Sequence, residues 1–316
     1  MKLVTLAESR NLAERIADAA GLPMIPVEDR RFEDGEGKIR PMADVRGHTI
    51  CVVQSLYEDH HLTVHDKLCR LLILMATLRD HGARRLIALV PYLCYARKDR
   101  RTKLRDPVTT RYVAQLFEAV SCDHVITFGI HNPAAFENAF RCETTLVDLG
   151  AVFQDVMAWR VDDLPLVVMS PDPGGVKRAQ LFRETLEERL GHQIGFGFMN
   201  KRRSGGVMTS GDVAGDFAGK AVLIVDDMIG SGGTMVAAAQ QCRRIGAQNV
   251  YALAAHGLFT GSAETLFADG SIDRVFIADS VAPFRLANGA DTPKLEVLGT
   301  AQAFSDVLAE LGPRAK

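Results

Sequence analysis

Short apolar runs alternate with helix-period segments along the whole 316-residue chain, and this alternation limits the fold more than any other feature. The runs are HTICVVQS, RRLIALVPY, DHVITFGI, LPLVVMS, KAVLIVDD, QNVYALAAH and DRVFIADS; between them lie KLCRLLILMATLRDH, PVTTRYVAQLFEAV and TMVAAAQQCRRIG. A strand apolar on both faces must be covered on both, and helices are the usual cover of parallel sheets. The pattern predicts an α/β fold of mostly parallel sheets flanked by helices. It also repeats faintly. A strand, a helix, a Gly-Ala pair and a second strand follow one another from CVVQS to RRLIALVPY and again from VLIVDD to QNVYALAAH. The two pairs, Gly82-Ala83 and Gly246-Ala247, lie 164 residues apart (246 − 82). Length and repeat together predict two similar α/β domains, residues 1–146 and 147–316, with the last segment able to pack back on the first.

Composition narrows the function. Lys and Arg number 37 against 39 Asp and Glu, a net charge of −2, which argues against a general nucleic-acid coat. The six cysteines lie far apart with no CxxC pair, against zinc fingers and disulfide scaffolds. The opening MKLVTLAESRNLAERI has no apolar signal core, and no run approaches transmembrane length. The expectation is a cytoplasmic protein with no nucleic-acid or membrane partner.

The sharpest motif is AVLIVDDMIGSGGTMVAAAQQCRRIG, residues 221–246. A strand ends in Asp226 and Asp227, and a turn of Gly230, Ser231, Gly232 and Gly233 leads through Thr234 into a helix. Met235, Ala238, Cys242 and Ile245 fall on one face of that helix. Ligands of parallel sheets bind at the carboxyl ends of strands, where this loop lies. Its glycines let backbone N–H groups converge on an anion at a helix N-terminus, with Ser231 and Thr234 as further donors. The carboxylates can bind sugar hydroxyls or a magnesium-bound ligand. The bland alternative is an ordinary glycine turn before a helix. A second loop, SPDPGG at 170–175, ends the strand 164–170 and precedes a helix from about Val176. Alone it reads equally as a turn. Two such loops in one domain point to a ligand with two phosphate groups, with Asp172 as a magnesium contact.

Charge marks two more places. Arg97, Lys98, Arg100, Arg101, Lys103 and Arg105 crowd one loop, opposed only by Asp99, and Asp106-Pro107 is placed to cap the next helix. A charge run is often only a solvated face. The strand-end position beside Tyr92 and Tyr95 favours a polyphosphate site. Lys201-Arg202-Arg203 follows the strand-like IGFGFMN and precedes Ser204-Gly205-Gly206, so this basic triplet sits at the root of a loop that can close over a reacting phosphate. The stretch Glu58-Asp59-His60-His61 with His65-Asp66 lacks settled metal-ligand spacing and reads better as a polar loop before the helix 67–80. His131, at a strand end, is the better metal candidate. There is no GxxxxGK[ST] and no GxGxxG.

In order, RFEDGE, PYLCYARKDRR, SPDPGG, NKRR, VDDMIGSGGT and HGLFTGSA resemble the ribose-phosphate pyrophosphokinase (phosphoribosyl pyrophosphate synthetase) family over nearly the whole chain. VDDMIGSGGT alone indicates only the wider phosphoribosyltransferase class. The resemblance implies two phosphoribosyltransferase-like domains and transfer of the β,γ-pyrophosphoryl group of ATP to O1 of ribose 5-phosphate, giving AMP. By position it implies that Gly230 to Thr234 hold the 5-phosphate and that Asp226 and Asp227 meet the ribose hydroxyls. Lys201 and Arg203 would stabilise the transferring group, Arg97, Lys98 and Asp99 would contact ATP, and Mg2+ would sit near His131 and Asp172. Phe32, Asp34 and Glu36 would reach the adenine from a neighbouring subunit of a homo-oligomer. The chain departs from the family at Lys98 (usually Gln), Gly129 and Gly230 (usually Asp), Ser231 (usually Thr) and the stretch 56–67. Two other readings stand beside this one. A non-catalytic regulatory homologue would bind both ligands without turnover, and a phosphoribosyltransferase would leave residues 1–146 unexplained.

Overall fold

The computed structural model describes residues 1–160, 164–200, 202–204, 207–209 and 213–311; for 158–160, 202–204 and 207–209 the backbone alone is described. The chain divides into two compact units, Met1–Val147 with the segment from Thr300, and Asp148–Gly299.

The first unit holds strands β1 (Lys2–Thr5), β2 (Met24–Ile25), β3 (Val27–Arg31), β4 (Gly37–Pro41), β5 (Thr49–Val53), β6 (Arg85–Val90), β7 (His124–Phe128) and β8 (Glu143–Val147). Its helices are α1 (Arg10–Ala20), α2 (Val64–Asp80), α3 (Thr109–Ala119) and α4 (Pro133–Ala139). The main sheet runs β2-β1-β5-β6-β7-β8, with every pairing parallel. Its central runs are almost wholly apolar because helices cover both faces: Ile50 to Val53, Leu86 to Val90 and Val125 to Phe128, with Thr127 the one polar residue, are all buried. The pair β3 and β4 forms a separate antiparallel hairpin. Helix α2 starts at Val64, earlier than the expected 67, because Thr63 and Asp66 close a capping box.

The second unit contains β9 (Leu166–Ser170), β10 (Gly195–Met199), β11 (Arg202–Ser204), β12 (Val207–Thr209), β13 (Val213–Ala214), β14 (Ala221–Ile229), β15 (Asn249–Gly257), β16 (Arg274–Ala278) and β17 (Leu295–Leu298). Helices α5 (Gly150–Arg160), α6 (Val176–Leu190), α7 (Gly233–Arg244) and α8 (Glu264–Ala268) accompany them. The sheet order is β13-β10-β9-β14-β15-β16-β17, parallel except for β13. Helix α9 (Ala301–Glu310) belongs to the first unit, where it packs on α1.

The faint repeat extends to matching hydrogen bonds. Gly82 (φ 88°) and Gly246 (φ 95°) both end their helix in the left-handed region that glycine enters without a Cβ penalty. The next residue donates back into the helix in each case, Ala83 to Leu78 O (3.1 Å) and Ala247 to Cys242 O (2.9 Å). Arg79 reaches Ala83 O, Arg84 O and Asp123; Arg243 reaches Ala247 O, Gln248 O and Asp273. Each Asp also accepts a backbone N–H of the second strand, Leu86 N and Val250 N, both at 2.7 Å. The two units are one design used twice.

Candidate active site

Strand β14 is nine residues long, and its end carries the acid pair. Asp227 is almost fully buried and Asp226 largely so. Two carboxylates this close and this dry repel unless a cation joins them. Arg178, from the first turn of α6, does so. Asp226 Oδ1 accepts from its Nη1 (2.8 Å), and Nη2 lies 3.1 Å from Asp227 Oδ1. The backbone N–H of Asp227 adds a 2.8 Å bond to the same Asp226 oxygen. Burial, then repulsion from Asp227, raises the Asp226 carboxyl to about 7 against the pull of Arg178. Arg178 escaped the sequence reading. Its one signal was a basic residue in the first turn after a glycine loop.

The loop after β14 has the conformation its glycines predict. Gly232 has φ 80°, and a Cβ there would come within 3.0 Å of Leu266 Cβ. The N-cap of α7 is this Gly232, which brings no capping side chain of its own. Helix N-termini of this kind suit an anion. The helix buries Met235, Ala238 and Cys242 as expected, but Ile245, just past its last turn, is partly exposed.

The SPDPGG loop turns out differently. Asp172 Oδ1 accepts from Gly174 N (2.9 Å) and Gly175 N (3.1 Å). The loop therefore caps itself: one carboxylate oxygen of Asp172 holds both glycine N–H groups. Helix α6 starts at Val176, as read from the sequence.

In the first unit the basic loop is organised around one acid. Asp106 Oδ2 accepts from Lys98 Nζ (2.6 Å), Thr102 Oγ1 (2.8 Å), Thr102 N (3.0 Å) and Lys103 N (2.9 Å). These bonds hold its carboxyl far below the ordinary range, with Lys98 the largest cause. The expected capping of the next helix by Asp106 is therefore wrong: α3 starts at Thr109 with no side-chain cap, because Asp106 folds back onto the loop. Lys98 is turned to Asp106. Asp99 Oδ2 accepts from Asn132 Nδ2 (2.6 Å), which ties the basic loop to the turn carrying His131, three residues past the end of β7. His65 hydrogen-bonds the Tyr95 hydroxyl, and the expected polar loop around 58–61 is pinned by Asp59 to the buried Lys67 (2.6 Å).

Phe32, Asp34 and Glu36 form the tip of the β3–β4 hairpin. Phe32 N donates to Glu36 O (2.8 Å), Asp34 Oδ1 accepts from Glu36 N (3.0 Å), and the Phe32 ring is 41% exposed beneath Arg30. Arg203 lies in β11 opposite Met208; its side chain and Lys201 lie outside the described residues. Among the described residues no three His, Cys, Asp or Glu converge as a metal cage, and no helix is long and apolar enough to cross a membrane. Of the two glycine departures, Gly230 has room for a side chain, its nearest neighbour being Thr260 Oγ1 at 3.6 Å, whereas Gly129 has φ 55°.

A duplicated parallel α/β unit, with an acid pair and a glycine loop at the carboxyl end of a central strand, defines the phosphoribosyltransferase-like class. Residues 1–120 match the N-terminal domain of ribose phosphate pyrophosphokinase, and residues 199–307 match the phosphoribosyl synthetase-associated domain. The ribose-phosphate pyrophosphokinase of Mycoplasma pneumoniae is 34% identical over 96% of this chain and 90% of its own length. That of Caldanaerobacter subterraneus is 31% identical over 98% and 94%. The crystal structure of phosphoribosylpyrophosphate synthetase from Mycobacterium smegmatis superposes with a TM-score of 0.85 at 26% identity, covering 98% of each chain. The chain belongs to the ribose-phosphate pyrophosphokinase family.

Proposed function

We infer that the chain is an active ribose-phosphate pyrophosphokinase, transferring the pyrophosphoryl group of ATP to O1 of ribose 5-phosphate to give 5-phosphoribosyl 1-pyrophosphate and AMP. The observation that carries this is the contrast between the two loops of the second unit. One caps itself through Asp172, and the other, after Asp226 and Asp227, starts its helix from Gly232, which brings no capping side chain. The 5-phosphate binds Gly230 to Thr234, and the acid pair accepts from the ribose hydroxyls. O1 then attacks the β-phosphorus and gives up its proton to solvent, the bond from that phosphorus to the α-phosphate bridging oxygen breaks, and AMP leaves with that oxygen. Such transfers depend on positioning and on neutralising charge rather than on covalent help.

Lys201 and Arg203 supply cationic groups to the transferring pyrophosphoryl group and shield it from water. Arg97, Lys98 and Asp99 hold ATP, with Phe32, Asp34 and Glu36 of a neighbouring copy on the adenine; an exposed aromatic at a hairpin tip supports that role. The enzyme is then a homo-oligomer of the cytoplasm. His131 and Asp172 contact Mg2+. Each is a contact of the kind that ion accepts, since Mg2+ keeps water and substrate phosphates as ligands and takes only one or two from the protein. Bound there, Mg2+ neutralises triphosphate charge.

The test is formation of AMP and phosphoribosyl pyrophosphate from ATP, ribose 5-phosphate and Mg2+. Folded protein that makes neither at millimolar substrate sinks the proposal, and binding of both ligands without turnover would support the regulatory homologue instead. Lys201→Ala is expected to lower kcat by about 10²–10³-fold while ribose 5-phosphate still binds; a change of only a few fold would refute that assignment.

A further inference from the structure

We propose that Arg178 is a positioning residue for the sugar: its guanidinium clamps Asp226 and Asp227 by one oxygen each and so presents the pair to two neighbouring hydroxyls of ribose 5-phosphate. This rests on the reading that the β14 loop binds that sugar phosphate.

The geometry is that of a fork. Nη1 and Nη2 lie 2.8 and 3.1 Å from Oδ1 of the two successive residues, and the Arg178 side chain is only 15% exposed. A planar guanidinium can hold two acceptors at fixed spacing, which a lysine ammonium cannot. Asp226 Oδ1 receives both Arg178 Nη1 and the Asp227 N–H. Both of these bonds fall on the one oxygen, Oδ1, and so fix the plane of the Asp226 carboxylate.

The SPDPGG segment builds this clamp. Asp172 starts the short turn that runs into α6, which fixes where the first turn of α6 points. A Cβ at Gly175 would come within 2.8 Å of Ser170 Oγ and 3.2 Å of Arg178 Nη1. Glycine there lets the guanidinium lie close against the loop. The second glycine loop of this unit therefore serves the acid pair of the first.

A merely structural strut between α6 and β14 would give the same ion pairs, so the test separates affinity from chemistry. Arg178→Gln is expected to raise KM and Kd for ribose 5-phosphate about 30- to 100-fold, since two charge-assisted bonds set the pair. KM for ATP should stay within about twofold and kcat at saturating sugar within about threefold. Guanidinium ion at tens of millimolar should restore part of the sugar affinity to Arg178→Ala. Unchanged sugar affinity in Arg178→Gln, or equal losses for ATP and sugar with no rescue, would overturn the proposal. Should the Gln variant not fold, Arg178→Lys serves: about tenfold weaker sugar binding is expected, and wild-type affinity overturns the clamp. Wild-type protein is titrated first. If it does not bind ribose 5-phosphate, the sugar-phosphate reading falls and takes the clamp with it; if it does, a failed variant result refutes the clamp alone.

Discussion

Removing the charge of Asp226 should stabilise the protein and disable it, in a pH-dependent way. The carboxyl sits at about 7 in the folded chain, against an ordinary 3.8, chiefly through burial and then through Asp227. Between those values the folded state keeps a proton that the unfolded chain has released. The contribution to stability is thus fully present below about 4 and is lost as pH rises through about 7. Roughly three pH units at about 1.36 kcal/mol each give about 4 kcal/mol as an upper figure, with the pull of Arg178 already included. Asp226→Asn keeps the shape and cannot ionise. Its advantage over wild type should grow from near zero at pH 4, through about 2 kcal/mol at pH 5, to about 2–4 kcal/mol at pH 8. For a chain of this length that is a Tm gain of roughly 3–6 °C at pH 8. The assay is thermal unfolding of both proteins across pH 4–8 without ligand, beside ribose 5-phosphate titrations. Parallel Tm curves for the two proteins over that range would refute the reasoning.

Three further perturbations test other parts. Gly232→Ala forces φ 80° on a side chain and pushes its Cβ against Leu266, so stability should fall by about 2–4 kcal/mol and ribose 5-phosphate affinity at least tenfold; wild-type affinity would show that this loop is not the phosphate seat. Gly230→Asp meets only Thr260 Oγ1 at an ordinary distance and should keep Tm within about 2 °C, and a fall of several degrees would refute that account of the departure. Asp123→Asn and Asp273→Asn remove matching partners of Arg79 and Arg243, so urea denaturation should give similar losses of about 1–2 kcal/mol; values differing by more than about 1 kcal/mol would argue that the two struts are not equivalent.

The strands and their parallel pairing were legible because a strand buried on both faces has no polar positions to blur it: Leu166 to Ser170 and Ala221 to Val225 are buried without interruption. The duplication was legible for a similar reason, since Gly82 and Gly246 hold a backbone conformation other residues resist. What could not be read was the choice of partner. Asp106 lies where a helix cap belongs, and only the fold brings Lys98 and Thr102 around it as a better set of donors. Asp172 reads as a metal contact, and only the fold shows that one of its oxygens also holds the Gly174 and Gly175 N–H groups. Arg178 lies 48 residues before its partner Asp226, too far for any local rule to join them. Register and backbone follow from short-range pattern, whereas counter-ion choice depends on which loops the sheet brings together.

That choice explains how one α/β unit yields two chemistries. In the first unit the charged cluster follows β6. It is cationic; Asp106 draws Lys98 and two loop amides inward, and Asp99, within the same loop, is held by Asn132. In the second the cluster ends β14, the strand whose place in the repeat matches β5. It is anionic, with one guanidinium, Arg178, drawing two carboxylates together. In each cluster a side chain of opposite sign gathers its neighbours: Asp106 in the first, Arg178 in the second. The like charges must be compensated for the chain to fold, yet a full set of counter-ions would leave none for a ligand. A partial set of counter-ions meets both demands: it lowers the repulsion enough to fold, and the groups it leaves to make two fields for a ligand are cationic side chains after β6 and carboxyl groups in β14. A polyphosphate and a polyhydroxylated sugar are complementary to those two fields, and a net charge of −2 over the whole chain hides both.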